Sequence, residues 1–588
     1  VVTARMRSPL ARKTFWNGDD AVQCMRACHV TAWTAGLGAL VLAPPVMDGR
    51  TGFHGVVGVV LLTANALLLL VVVVATASPE ATGRGGRPAP LTIRRRLKRT
   101  RWIALGVLAV SLIWVAVTYD TPRDVEPSPF PGLHNSIHSL VAIQFALLVA
   151  VGVGIAMSKV HLDTEAGYEP TLNGFTAWFV ALLGWLLGGG FSAGVGLWTA
   201  QTLGTWTYSA ELAADAVRSR SAAPLIVPPA YVWAAVGTLI VLAFAVAAAI
   251  RLAVRVFGKR ALLDIDTIAE QGAVENNAPG EVLKKIILSR RLARLTEGGP
   301  GLIASLVLVA SALVLVAAAL LFVISVPFVD GFVRDKLGNI AVGATVAIVV
   351  AFLGLVAGAL RNRQTRRVAA ILWDVITFWP RANHPLTPPS YGGRTVFDLR
   401  LRMRELVESE EPTRVVLVAH SQGTIIAAAT LMQTIEPKER YPLLTFGSPL
   451  RRLYACNFPA YFGRNTLHAL TNFASADRFA PRTPRWINLW ALTDPIGGWV
   501  FATRPAYVDA DDPPTPMREV LNGVDCRVFD VRQQFPRVGD YDVSRDGAVC
   551  GHSGFWDRSE YAKAVDVLQA LVAPDSDGTV NATAPPTA

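Results

Sequence analysis

The sequence predicts two unlike parts in one chain: a membrane region of about eight α-helical spans, then an α/β domain with a mostly parallel sheet flanked by helices. Three observations lead there. Apolar residues make up 52% of the 588 and charged residues only 17%. The apolar residues gather in blocks of about twenty, the length that crosses ~30 Å of hydrocarbon. The blocks stop near residue 360, and beyond it short β-rich runs alternate with helical periodicity.

The predicted spans run from Ala27 to Ala43, Phe53 to Ala77, Trp102 to Tyr119, Ile137 to Met157, Phe175 to Thr199, Tyr231 to Ile250, Leu302 to Val326 and Leu337 to Leu360. The first is the shortest and is expected to end at Pro44 and Pro45. Lys and Arg test the count, because they accumulate in alternate loops of a multi-span protein. The N-terminal tail (1–26) carries five, the second loop eight and the sixth nine, against one, one, two and two in the first, third, fifth and seventh. The fourth loop, with Lys159 alone, carries no signal. Both ends of the region (27–360) are therefore expected in the cytoplasm, and Arg361, Arg363, Arg366 and Arg367 close the last span on that side. A cleaved leader is not expected, since a basic lead of 26 residues is long for one and no small-x-small site precedes Pro44.

The net charge of +11 belongs to these flanks, which favours membrane topology over nucleic-acid binding. The spans hold almost no ionisable side chain, which disfavours ion-coupled transport. His138 and Gln144 read as interfacial polarity, and the run Gly188 to Gly190 as close helix packing. Five cysteines without a CxxC or a His/Cys ligand spacing predict reduced thiols, with no disulfide framework and no zinc site.

From Arg361 to about residue 573 the chain reads as a soluble α/β domain, with a disordered tail at 574–588. Val368 to Trp373 (VAAILW) and Val415 to Ala419 (VVLVA) have the composition of buried parallel strands. Leu399, Met403 and Leu406 share one helical face between them. The second strand runs into AHSQGTIIAAAT and a predicted helix from Gln422 to Ile435. A strand, a serine at a sharp turn and an apolar helix form a nucleophile elbow, in which Ala419 and Gly423 are small so that strand and helix backbones can approach. Ser421 is the candidate nucleophile.

A serine hydroxyl needs a base to take its proton and an acid to orient that base. After an elbow of this type the partners follow in the order Ser, acid, His, each past a later strand. Of His384, His420, His468 and His552, only His552 follows both further β-like runs, Trp486 to Leu492 and Cys526 to Val531, and is the expected base. His420 points away from the serine at the turn and is expected to pack. Asp494, two residues after WINLWAL, is the favoured acid, with Asp477, Asp511 and Asp512 as alternatives. The oxyanion donors are expected to be the backbone N–H of Gln422 and a group in the loop near Asp374, assigned to Val375.

AHSQG, LLTFGSPL (Leu443 to Leu450), RWINLWALTDPIGG (Arg485 to Gly498) and GHSGFW (Gly551 to Trp556) follow in order. Together they resemble the α/β-hydrolase superfamily, and within it bacterial lipase- and esterase-like serine hydrolases. AxSxG stands where the family usually has GxSxG, and the resemblance covers roughly residues 365 to 573 and none of the spans. It implies ester or thioester cleavage through an acyl-serine intermediate, without metal or organic cofactor. The expected partners are the lipid bilayer and a small-molecule or lipid acyl ester, with no nucleic acid. Acyl transfer by the same residues and a catalytically silent binding module are the alternatives. The closing helix is expected over Glu560 to Val572, with Tyr561, Val565 and Leu568 on its inner face.

Overall fold

The computed structural model describes residues 9–11, 13–16, 19–47, 52–82, 89–118, 133–158, 168–204, 206–207, 225–227, 229–257, 377–379, 390–409, 415–433, 441–474, 486–491, 493–501, 525–527, 551–557 and 559–570, with scattered single positions between 288 and 361. Among the described residues six long helices come first along the chain: α1 (Asp19–Met47), α2 (Gly52–Ala77), α3 (Leu91–Thr118), α4 (Leu133–Met157), α5 (Thr176–Leu203) and α6 (Pro229–Phe257). Their apolar composition suits hydrocarbon, where every backbone group has to be satisfied within its own segment. Among the described residues five helices are long and apolar enough to cross a membrane, at Ala21–Met47, Gly52–Ala77, Leu91–Thr118, Ser139–Met157 and Thr176–Ala200. They coincide with the first five predicted spans, and α6 covers the sixth. The seventh and eighth lie largely outside the described residues.

Two sequence expectations change. Pro44 and Pro45 do not end the first helix, which runs on to Met47, although each lacks the N–H that would bond the carbonyl four residues earlier. Of the glycine run, Gly190 alone packs closely: a Cβ there would meet Thr238 of α6 within van der Waals distance, while Gly188 and Gly189 have nothing within 4 Å. Gln144 accepts a hydrogen bond from Trp185 Nε1 at 2.8 Å, so its polar group links α4 to α5.

Among the described residues the C-terminal part holds a four-stranded parallel sheet in chain order, β1 (Leu417–His420), β2 (Leu443–Phe446), β3 (Trp486–Trp490) and β4 (Asp525–Arg527). Helix α7 (Gly392–Glu408) precedes it, α8 (Gln422–Gln433) follows β1, α9 (Arg464–Ala474) lies between β2 and β3, and α10 (Ser559–Ala570) is the last helix among the described residues. The strands alternate their apolar residues between two faces. Leu443 and Trp486 join α7, α8 and α9 in one core, and Leu444, Phe446, Ile487 and Leu489 join Phe555, Ala564 and Leu568 in the other. Helices thus cover both sides, as a sheet buried on both faces requires. The predicted strand at 368–373 and the tail at 574–588 lie outside the described residues.

Two segments from outside the C-terminal part complete its larger core. Leu10, Phe15 and Trp16, in the stretch read as a tail, are buried there, and so is Tyr168 from the loop between α4 and α5. Trp16 packs edge-on against Phe378 at 5.8 Å, and its Nε1 donates to Leu10 O at 2.9 Å. Gln433, at the end of α8, donates its side-chain amide to the same carbonyl. Tyr168 donates its hydroxyl to Val500 O, and Thr171 N–H donates to Cys456 O at 2.8 Å.

Candidate active site

In an open parallel sheet the loops beyond the carboxyl ends of the strands form a crevice, and the candidate residues converge there. Ser421 follows β1 directly and has φ +53°, a left-handed conformation that costs a non-glycine residue about 1–2 kcal/mol. The turn is held from both sides: Ser421 N–H donates to Phe446 O at 3.2 Å, and Ser421 O accepts from the N–H and hydroxyl of Thr424 at 2.9 and 2.8 Å. Asp494 lies in the turn after β3 and is fully buried. His552 sits in the loop ahead of α10.

Ser421 Oγ lies 2.8 Å from His552 Nε2, and His552 Nδ1 lies 3.0 Å from Asp494 Oδ1. A carboxylate only accepts, so Nδ1 carries the proton and Nε2 is left as the acceptor for the serine hydroxyl. The Oδ1 atom also accepts from the N–H groups of Ile496 and Gly497, both at 2.8 Å. Three hydrogen bonds thereby hold one carboxylate oxygen in a buried place. Such an array can accept a proton from Ser421 and keep the resulting imidazolium paired. Gln422 opens α8, so its N–H is among the first four of the helix, which have no partner within it. Val375 lies outside the described residues, as do His384, Asp477, Asp511 and Asp512. His468 is on α9 against Phe501, ring centroids 4.5 Å apart.

Several neighbours carry no motif and escape a reading by sequence alone. Arg452 Nη1 donates to Asp494 O at 2.8 Å and steadies the turn of the acid. Tyr454 donates its hydroxyl to Gln422 Oε1 at 2.9 Å, and burial pushes its phenol up to about 12. His420 does pack, stacked on Phe446 with centroids 5.2 Å apart, but its Nε2–H also donates to His552 O at 2.7 Å. The residue before Ser421 is thus tied to the backbone of His552. Burial lowers the His420 pKa, which keeps it a neutral donor. Burial also pushes the Cys456 thiol up, away from the thiolate a competing nucleophile would need. Among the described residues no three His, Cys, Asp or Glu side chains gather in a metal-binding group.

The glycines differ from expectation. A Cβ on Gly423 would meet nothing within 4 Å, so close approach at that position is not what the elbow needs among the described residues. The crowded glycines are Gly447 and Gly497. Gly447 (φ +57°) lies beneath both imidazoles, its would-be Cβ 3.1 Å from His420 and 3.2 Å from His552 Cε1. A Cβ on Gly497 would stand 2.5 Å from the backbone of Gly447 and 2.4 Å from Asp494 Oδ2. The TFG and IGG runs carry both residues, but a required glycine cannot be told there from an ordinary turn glycine.

No protein-family model matches the chain, and neither curated proteins nor solved structures return a match.

Proposed function

We propose that this chain is a membrane-bound serine hydrolase of α/β-hydrolase type, cleaving an acyl ester or thioester through an acyl-serine intermediate. The observation that carries the reading is the chain of two hydrogen bonds, 2.8 and 3.0 Å long, joining Ser421, His552 and Asp494 across separations of 131 and 58 residues. Ser421 Oγ attacks the acyl carbon while His552 Nε2 takes its proton, and Asp494 stabilises the imidazolium. The oxyanion is received by Gln422 N–H and by a second donor, assigned from sequence to Val375. His552 then protonates the departing alkoxide or thiolate, and water, deprotonated by the same imidazole, releases the acid.

The hydrolase unit and the N-terminal segment belong on one side of the bilayer. Trp16 and Tyr168 enter the same core, and four helices long and apolar enough to cross (α1 to α4) lie between them, the even number that two segments on one side require. The Lys and Arg of the alternate loops assign that side to the cytoplasm.

A fluorophosphonate probe on membranes containing the full chain should label the wild type and leave Ser421→Ala unlabelled, with ester turnover reduced on the order of 10⁶-fold. Labelling that survives the substitution, or a wild type that never reacts, would sink the reading.

A further inference from the structure

The loops that carry the candidate site also carry contacts to the connection between α4 and α5. Val500, whose carbonyl accepts from Tyr168, lies six residues beyond Asp494 in the same loop. Cys456, whose carbonyl accepts from Thr171, ends the π-helical segment Leu450–Ala455 that leaves β2 by way of Gly447. Both are at the carboxyl edge of the sheet, where Ser421 and Asp494 stand.

Thr171 precedes the start of α5 by five residues, which span at most about 18 Å even when fully extended. Trp16 precedes the start of α1 by three residues, at most about 11 Å. Phe175, Trp178 and Phe179 cluster edge to face at the head of α5, the aromatic grouping that settles at a membrane surface. The C-terminal unit is therefore tied to the heads of α1 and α5 by two short lead-ins, of which the one through Tyr168 and Thr171 meets the loops that carry the candidate site. Beside the site, Trp556 is 49% exposed and set edge-on to His420 at 5.7 Å, an open indole on the rim.

Building on the serine-hydrolase reading, we infer that the substrate is a bilayer-resident lipid ester, presented to Ser421 from the membrane surface on which Trp16 and Tyr168 dock the hydrolase unit. The ester carbonyls of a glycerolipid lie at the junction of headgroup and chains, so a unit docked at that surface meets them without extracting the whole lipid. A water-soluble ester would need no such docking. The membrane region then positions the enzyme as well as anchoring it.

The full-length protein, reconstituted in phosphatidylcholine vesicles, tests this with two kinds of ester. One is soluble p-nitrophenyl butyrate; the other is a self-quenched long-chain phosphatidylcholine or, in a second preparation, the matching diacylglycerol. A floating variant combines Tyr168→Ala with a Gly-Ser insertion of about ten residues between Asn17 and Gly18. Losing the fixed placement should cut turnover of the vesicle ester by about tenfold while turnover of the soluble ester changes less than about twofold. Equal losses on both esters, or a wild type that cleaves p-nitrophenyl butyrate and neither vesicle ester, overturns the lipid assignment and leaves the hydrolase reading standing. A measurement on the wild type needs no variant to fold: a fluorescent fluorophosphonate on Ser421 should transfer energy efficiently to a headgroup-labelled acceptor lipid. Labelling without transfer overturns the docked geometry, whereas absence of labelling ends the hydrolase reading and this one with it.

Discussion

The packing of two loop glycines makes the sharpest mutational prediction. In Gly497→Ala the new methyl group would lie 2.5 Å from the Gly447 carbonyl carbon, where ordinary contact begins at 3.4 Å. The two loops must separate by about 0.9 Å to restore that contact. Neither side can yield freely. One holds Asp494, clamped by the N–H groups of Ile496 and of residue 497 itself; the other is the end of β2, with both imidazoles above it. A displacement of that size breaks the 3.0 Å bond between His552 and Asp494. Overpacking should cost about 1–3 kcal/mol of stability, and misplacing the acid should slow reaction with a fluorophosphonate on the order of 10²-fold. The measurements are the second-order labelling rate and the urea midpoint of the reconstituted protein. Gly423→Ala is the control. Its Cβ enters open space within α8, so stability should rise by about 0.5–1 kcal/mol while the labelling rate stays within about threefold. If Gly497→Ala reacts and melts like the wild type, or Gly423→Ala is the more damaged of the two, this account of the loop packing is wrong.

Four further outcomes are expected. His420→Phe keeps the stack on Phe446 but leaves His552 O without its donor, which should cost about 1–3 kcal/mol, and His420→Gln should recover part of it. Because burial holds His420 below its ordinary value near 6.5, the unfolded chain takes up its proton first as pH falls. Wild-type stability should thus be full above that value and decline below it toward the lowered pKa, and denaturation curves of His420→Gln should be flatter across the same window. Trp16→Ala should destabilise the C-terminal unit by about 3–5 kcal/mol in a thermal melt, although it lies in the N-terminal segment, since it empties a buried site against Phe378. Tyr454→Phe should lose about 0.5–1.5 kcal/mol in urea denaturation by removing the donor to Gln422, and since the phenol titrates only at about 12 the pH profile between 6 and 9 should keep its shape.

The parts readable from the chain were those with a local physical signature. Apolar blocks long enough for a bilayer marked the five crossing-length helices, and the β-rich runs before AHSQG and within WINLWAL became β1 and β3. The predicted helix over Gln422 to Ile435 is present over Gln422–Gln433 and the closing helix over Ser559–Ala570, with residues 434–435 and 571–572 outside the described residues. The candidate residues were chosen by chain order, because an elbow on a parallel sheet brings each later partner to the same edge. His420 was half understood: its direction away from Ser421 follows from turn geometry, but its bond to His552 O depends on a loop 132 residues away.

By itself the sequence determined the division into membrane and α/β parts, the alternation of basic loops, and the three residues that could act together. Each depends on composition, period or order along the chain. Tertiary structure alone decided that Trp16 and Tyr168 belong to the core of a sheet more than two hundred residues further on, and that around Ser421 the crowded glycines are Gly447 and Gly497 and not Gly423. Contacts between distant segments arise only when the chain closes on itself, and a buried tryptophan or a crowded glycine looks locally the same as an ordinary one.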